Sequence, residues 1–162
     1  MSEREQLAAL AQIHELLEQQ GIDYWLFGGW AVDFYAASVT RAHADLDLGV
    51  WLDDHHRIAE LLAAEGWSHA PEEAEDGYTG YKRAAVRLEL AFLARDQDGH
   101  VYTPLREGRG NWPEGAFAND VGELEGVRAR LISLRALKAD KSERQGDAAK
   151  DGVDMLTLSR LG

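Results

Sequence analysis

"LFGGWAVDFYAASVTRAHADLDLGV", Leu26 to Val50, is the stretch on which the reading of this chain turns. The aromatic run Asp23–Phe27 before and within it suits a short buried strand, and Gly28-Gly29 breaks it. Trp30 to Ala37 then suits a helix. Ala44 to Leu52 alternates, with Leu46, Leu48 and Val50 facing one way and Asp45, Asp47 and Gly49 the other. A strand that ends in Gly-Gly and runs into a helix exposes backbone N–H groups at a positive helix end, which is a natural anion site. Taken alone that signal is weak, because many Gly-Gly pairs are only turns. Trp30 suits the core, and Asp33 is placed in the first helical turn, where a carboxylate complements the helix dipole.

The two aspartates carry more. Residues two apart in a strand share a face, roughly 6.5–7 Å apart at the backbone, so Asp45 and Asp47 aim at one point. Two carboxylates held together repel unless they are protonated or neutralised by a cation. A hard divalent ion such as Mg²⁺ fits, since it takes carboxylate oxygens together with substrate phosphates. The alternative is the solvent-facing side of an edge strand. The fully apolar opposite face, and Arg41 and His43 just upstream, favour the metal.

Glu89 is the third carboxylate, inside the otherwise apolar run "VRLELAFL". A lone acid there needs a partner. Either Arg83 or Arg87 supplies it, or the strand lies beside Asp45 and Asp47 and completes a three-acid site. There Glu89 would bind a second metal or act as general base on a substrate hydroxyl. Spacing alone leaves both open.

Around this centre the pattern predicts a helix over Glu3–Gln20, with Leu7, Leu10, Ile13, Leu16 and Leu17 on one face and Gly21 as its stop. A second helix is expected over His55–Gly66, and two strands within Tyr78–Ala94. Pro71–Gly77 reads as an acidic turn, Arg95–His100 as an Asp-Gly turn and Thr103–Gly115 as a loop. A hairpin-like "GELEGVRARLIS" precedes a helix capped by Ser133, Gly146 interrupts that helix, and a last helix follows. This order predicts an α+β fold with a mixed sheet flanked by helices, in one domain over residues 1–162.

Composition narrows the function classes. The chain has 162 residues, 45% of them apolar, and no cysteine, which removes disulfides, thiolate metal sites and cysteine nucleophiles. A formal charge of −12 argues against a dedicated nucleic-acid module and admits a cationic small substrate. No apolar stretch is long enough to span a bilayer and the N-terminus does not read as a signal peptide, so the expected location is the cytoplasm, without a membrane partner. No histidine cluster or nucleophilic motif supports a phosphohydrolase.

Gly28-Gly29-Trp30-x-x-Asp33, then Arg41-x-His43-x-Asp45-x-Asp47, then an acid in a later strand, resembles the nucleotidyltransferase superfamily of DNA polymerase β. More narrowly the chain is similar to lincosamide nucleotidyltransferases and aminoglycoside 2''-O-nucleotidyltransferases. The resemblance implies transfer of a nucleoside monophosphate from an NTP, ATP first among the candidates, to a hydroxyl of a small antibiotic-like acceptor. Gly28 and Gly29 would hold the triphosphate, and Asp45 and Asp47 one or two Mg²⁺ ions. Glu89 would activate the acceptor hydroxyl, where relatives often carry Asp. Arg41 and His43 would touch phosphate or order the loop. "LRALKADKSERQGDAAKDGVD" resembles the Lys…Lys-Asp-x-x-Asp segment of the family. It puts Lys138 or Lys141 within reach of the phosphates and makes Lys150, Asp151 and Asp154 structural members, Asp154 in a capping or charge-pairing role. Tyr78, Tyr81, Tyr102 and Trp112 are candidate lining residues for the acceptor pocket. Compact relatives are often dimers, so a homodimer is expected by resemblance. Two other readings stay open: a toxin-type enzyme acting on protein or tRNA, and a non-catalytic nucleotide-binding domain of the same fold.

Overall fold

The computed structural model describes residues 2–143 and 148–161, without the side chains of 142, 143 and 148–151. The chain opens with α1 (Glu3–Gln19), capped by the Ser2 hydroxyl, which accepts the Glu5 N–H at 3.2 Å. Leu7, Leu10, Ile13 and Leu17 are its buried stripe, with Leu16 half-buried at the edge. Gly21 ends the helix in a left-handed conformation at φ +67°, and the Ile22 N–H returns to the Leu17 carbonyl. The expected strand–helix–strand then follows: β1 (Trp25–Phe27), α2 (Gly28–Ala36) and β2 (Leu46–Trp51). Next come α3 (His55–Ala64), β3 (Ser68–His69), β4 (Tyr78–Arg83) and β5 (Val86–Arg95). Two hairpins, β6 (Val101–Pro104) with β7 (Arg109–Asn111) and β8 (Val121–Leu124) with β9 (Val127–Arg130), lead to α4 (Leu134–Glu143) and α5 (Ala148–Ser159). Ser133 caps α4 as expected, accepting the Ala136 N–H. Gly146 lies outside the described residues.

The sheet is mixed, in the order β1-β2-β5-β4-β3, with β6 and β7 continuing from the end of β5. Only β2 and β5 run parallel among these pairs, in the register Asp47 opposite Glu89 and Leu48 opposite Leu90. One face is a continuous apolar layer of Leu46, Leu48, Val50, Leu88 and Leu90, each at most 1% exposed. The other face carries Asp47, Glu89, Gly49 and Ala91 in facing pairs. At its C-terminal side the chain packs α4 and α5 against α2, and the Ile132 N–H bonds the Leu26 carbonyl, tying the second hairpin to β1. Among the described residues, no helix is long and apolar enough to cross a membrane.

Three boundaries differ from the sequence reading. The helix expected from Trp30 begins at Gly28, so both glycines belong to its first turn. Asp45 precedes β2 rather than lying within it. The stretch Thr103–Gly115, read as a loop, contains β7 and the end of β6. That hairpin lacks apolar alternation because polar contacts hold it. Arg109 stacks 4.3 Å over the Tyr102 ring and pairs with Asp96 at 2.7 Å. Since β5 is the hub of the sheet and Leu90 is 1% exposed, Leu90→Ala should destabilise the protein by about 2–5 kcal/mol. The measurement is the urea midpoint, with an unchanged m-value showing that the cooperative unit is preserved.

Candidate active site

Two strand pairings assemble the site. Antiparallel β1 sets Phe27 opposite Asp47, and parallel β5 sets Glu89 opposite the same residue. The chain therefore leaves β1 at Gly28 immediately beside the Asp47 carboxylate. Gly28 has φ +72°, and a Cβ on it would collide with the Asp47 carboxylate oxygen. Glycine is required there on both counts. Asp45 completes the cluster: one carboxylate oxygen each of Asp45, Asp47 and Glu89 lie within 4.8 Å of one another.

Glu89 satisfies both readings offered for it. It sits beside Asp47, and Arg87 Nη2 donates to its Oε1 at 3.3 Å. Gly80, opposite Glu89, vacates the space that the Arg87 guanidinium occupies. Arg83 takes no part; it bonds Gln12 and stacks on Trp67. Burial, and then the charge of Asp45, push the Glu89 pKa up from the ordinary carboxylate value, against the lowering effect of Arg87. An oxygen-only set of three convergent, half-buried acids fits a hard divalent cation. The other acid group, Asp96, Asp98 and His100, has a structural explanation. Asp96 accepts the backbone N–H groups of Asp98 and His100 and pairs with Arg109, closing the turn after β5.

Behind the Gly-Gly turn lies a layer of two buried acids with their side-chain partners. His43 Nε2 contacts Asp33 at 2.6 Å, Thr40 donates to the other Asp33 oxygen, and Trp30 packs on the His43 ring at 4.5 Å. Asp33 is fully buried in the second turn of α2. It therefore serves the loop leading to the aspartates and not the helix dipole. Gln6 of α1 holds the His43 carbonyl at 2.9 Å. Arg41 meets Asp154 of α5 through two hydrogen bonds, Nε at 2.8 Å and Nη2 at 2.9 Å. Lys141 of α4 reaches the same carboxylate at 2.7 Å. A Cβ on Gly29 would collide with both Arg41 and His43.

The expected residues thus separate into groups. Gly28, Gly29, Asp45, Asp47, Glu89, Arg41 and His43 come together. Lys141 is buried on Asp154, Lys138 lies half-buried on α4, and the side chains of Lys150 and Asp151 fall outside the described residues. Of the aromatic candidates, Tyr78 and Trp112 flank Phe27, with ring centroids 6.3 and 5.3 Å from it. Tyr81 pairs with Leu88 on the opposite, apolar face, and Tyr102 is covered by Arg109. Phe27 itself is a core residue, 1% exposed, and sequence reasoning missed Arg41 as the partner of Asp154. The available signal was Asp154 standing four residues before buried Leu158, on the inner side of α5.

Gly28→Ala should lower stability by about 1–3 kcal/mol, the usual cost of a strained backbone position. A urea titration measures the effect. Burial would raise the Asp154 pKa, but hydrogen bonds from Arg41 and Lys141 outweigh it and hold the carboxyl below its ordinary range. A depressed folded-state pKa contributes stability above the unfolded value and loses it as pH falls through the folded one. The melting-temperature deficit of Asp154→Asn should therefore be full at neutral pH and shrink below about pH 4.

Known proteins resemble this chain over most of its length. A curated relative, a lincosamide resistance protein from Staphylococcus haemolyticus, is 27% identical over 117 residues, 68% of this chain and 66% of that protein's length. The crystal structure of the lincosamide antibiotic adenylyltransferase LnuA, lincomycin-bound, shares the fold at a TM-score of 0.77 and 20% identity, covering 100% of this chain and 99% of that one. ANT(2'')-Ia in complex with adenylyl-2''-tobramycin follows at 0.73 and 19%, covering 98% and 90%. The family profile described as Aminoglycoside-2''-adenylyltransferase matches residues 9–158, nearly the whole chain. The protein belongs to the aminoglycoside-2''-adenylyltransferase family of nucleotidyltransferases.

Proposed function

We propose that the protein transfers a nucleoside monophosphate from Mg-NTP, with ATP the first candidate, to a hydroxyl of a cationic, antibiotic-like acceptor. The observation that carries the reading is the convergence of Asp45, Asp47 and Glu89 beside the Gly28-Gly29 turn. Backbone N–H groups at the start of α2 receive phosphate oxygens, and the bare glycines let them approach. Asp45 and Asp47 would hold the divalent ion, with the Glu89 carboxylate beside them. When bound, such an ion neutralises charge developing on the α-phosphate and on the leaving group. The acceptor oxygen forms a bond to the α-phosphorus as the bond to the β-phosphate bridging oxygen breaks. Pyrophosphate leaves, and the hydroxyl proton passes to Glu89. Its raised pKa suits proton acceptance. Most of the rate comes from positioning and preorganised charge.

Two features support a cationic acceptor with an apolar side. Tyr78 and Trp112, both part-buried, offer an aromatic side packed on buried Phe27, the residue opposite Asp47. The acidic turn Pro71–Gly77 approaches Glu89 from the other side, where Glu73 meets Arg87 at 3.5 Å and the Glu75 charge raises the Glu89 pKa. Amino groups on a sugar ring suit such a rim electrostatically.

The test incubates the protein with Mg²⁺, each NTP and a panel of aminoglycosides and lincosamides. Pyrophosphate release is followed, and product mass identifies the adduct. Asp47→Asn should lower turnover by at least about a hundredfold, the scale for loss of a main electrostatic contributor. Wild-type turnover in that variant would defeat the metal assignment. Labelling of protein or RNA without turnover of any small acceptor would favour the toxin-type reading.

A further inference from the structure

Asp154 is fully buried, comes from α5, and bonds two cations from separate elements, Arg41 before β2 and Lys141 of α4. Buried ionic groups of this kind are seldom the most stabilising choice, since apolar residues of similar volume often serve folding as well. The geometry supplies another reason. A guanidinium carries five N–H groups. Arg41 spends Nε–H and one Nη2–H on Asp154 and one Nη1–H on the Ala42 carbonyl. Among the described residues two further N–H groups make no hydrogen bond, one on Nη1 and one on Nη2. Nη2 rests against Gly29, in the first turn of α2, at the place a Cβ would occupy. The Arg41 side chain is 13% exposed, so it is not sealed in the interior with its partner.

We propose that Asp154 is a positioning residue for the nucleotide, turning the open end of the Arg41 fork toward the triphosphate at the Gly28-Gly29 turn. Asp154 takes one edge of the guanidinium and a phosphate takes the adjacent end, the planar two-point recognition for which Arg is suited and Lys is not. The C-terminal helices thereby act on a loop 113 residues earlier in the chain. This assignment rests on the nucleotide reading above and deepens it.

The experiment measures binding of α,β-methylene ATP with Mg²⁺, and of inorganic tripolyphosphate, by calorimetry, with no acceptor present. Asp154→Asn and Arg41→Lys should each weaken binding about tenfold or more, the loss of a charge-assisted contact. Arg41→Gln should do so too, and adding Asp154→Asn to it should cause no further loss, because Asp154 acts only through Arg41. An equal, additive loss in the Arg41→Gln background would make Asp154 merely structural and overturn the proposal; so would unchanged affinity in Asp154→Asn. Where Asp154→Asn does not fold, Asp154→Glu keeps the charge and moves the guanidinium by one methylene, and wild-type affinity there overturns the proposal. If the wild-type protein itself binds neither probe, the nucleotide reading fails and this assignment with it. If the wild-type protein binds and the variants match it, only the assignment fails.

Discussion

How closely a bare backbone approaches charged side chains is the constraint on which this site depends. Gly28 lies against the carboxylate of Asp47, and Gly29 against Arg41 and His43. The pairing of Phe27 with Asp47 makes the chain turn out of the sheet right where the acid stands. Any side chain at either glycine would push the start of α2 away from the acids or displace the charged pair behind it. With hydrogen alone at both positions, a helix N-terminus and a carboxylate cluster come side by side.

Charge is divided into two layers. In front, Asp45, Asp47 and Glu89 converge, half-buried. Behind, Asp33 with His43, and Asp154 with Arg41 and Lys141, are buried and matched by side-chain partners. The two layers shift acids in opposite directions. Glu89 is pushed up by burial and by Asp45, whereas Asp154 is held down because its two cations outweigh burial. The front layer retains charge for a ligand to neutralise, and the rear layer keeps the supporting loop in one conformation.

The aromatic cluster next to the acids is built differently. It joins buried Phe27 from β1 with Tyr78 from β4 and Trp112 from beyond β7, and an acidic turn directly precedes β4. β6 and β7 continue the sheet from the end of β5, and the chain leaving them brings Trp112 to Phe27.

The amino-acid sequence alone determined the elements that rest on local chemistry. These are the apolar stripe of α1, the glycine turn after β1, the alternation that sets Asp47 opposite the apolar face, the Ser133 cap, and the order of the helices and of the central strands. It also showed that Glu89 needed a partner, without saying whether that was Arg87 or the aspartates, because strand neighbours are not encoded in spacing. Only the tertiary structure decided that both are true, by placing β5 parallel to β2 with Glu89 opposite Asp47. It likewise placed Asp33 on His43 rather than at the helix dipole, turned Tyr81 away, and drew Asp154 across the chain to Arg41. A hydrophobic period records which face of an element is buried. It does not record which distant charge lies on the other side of the contact, and that pairing is set by how the elements pack.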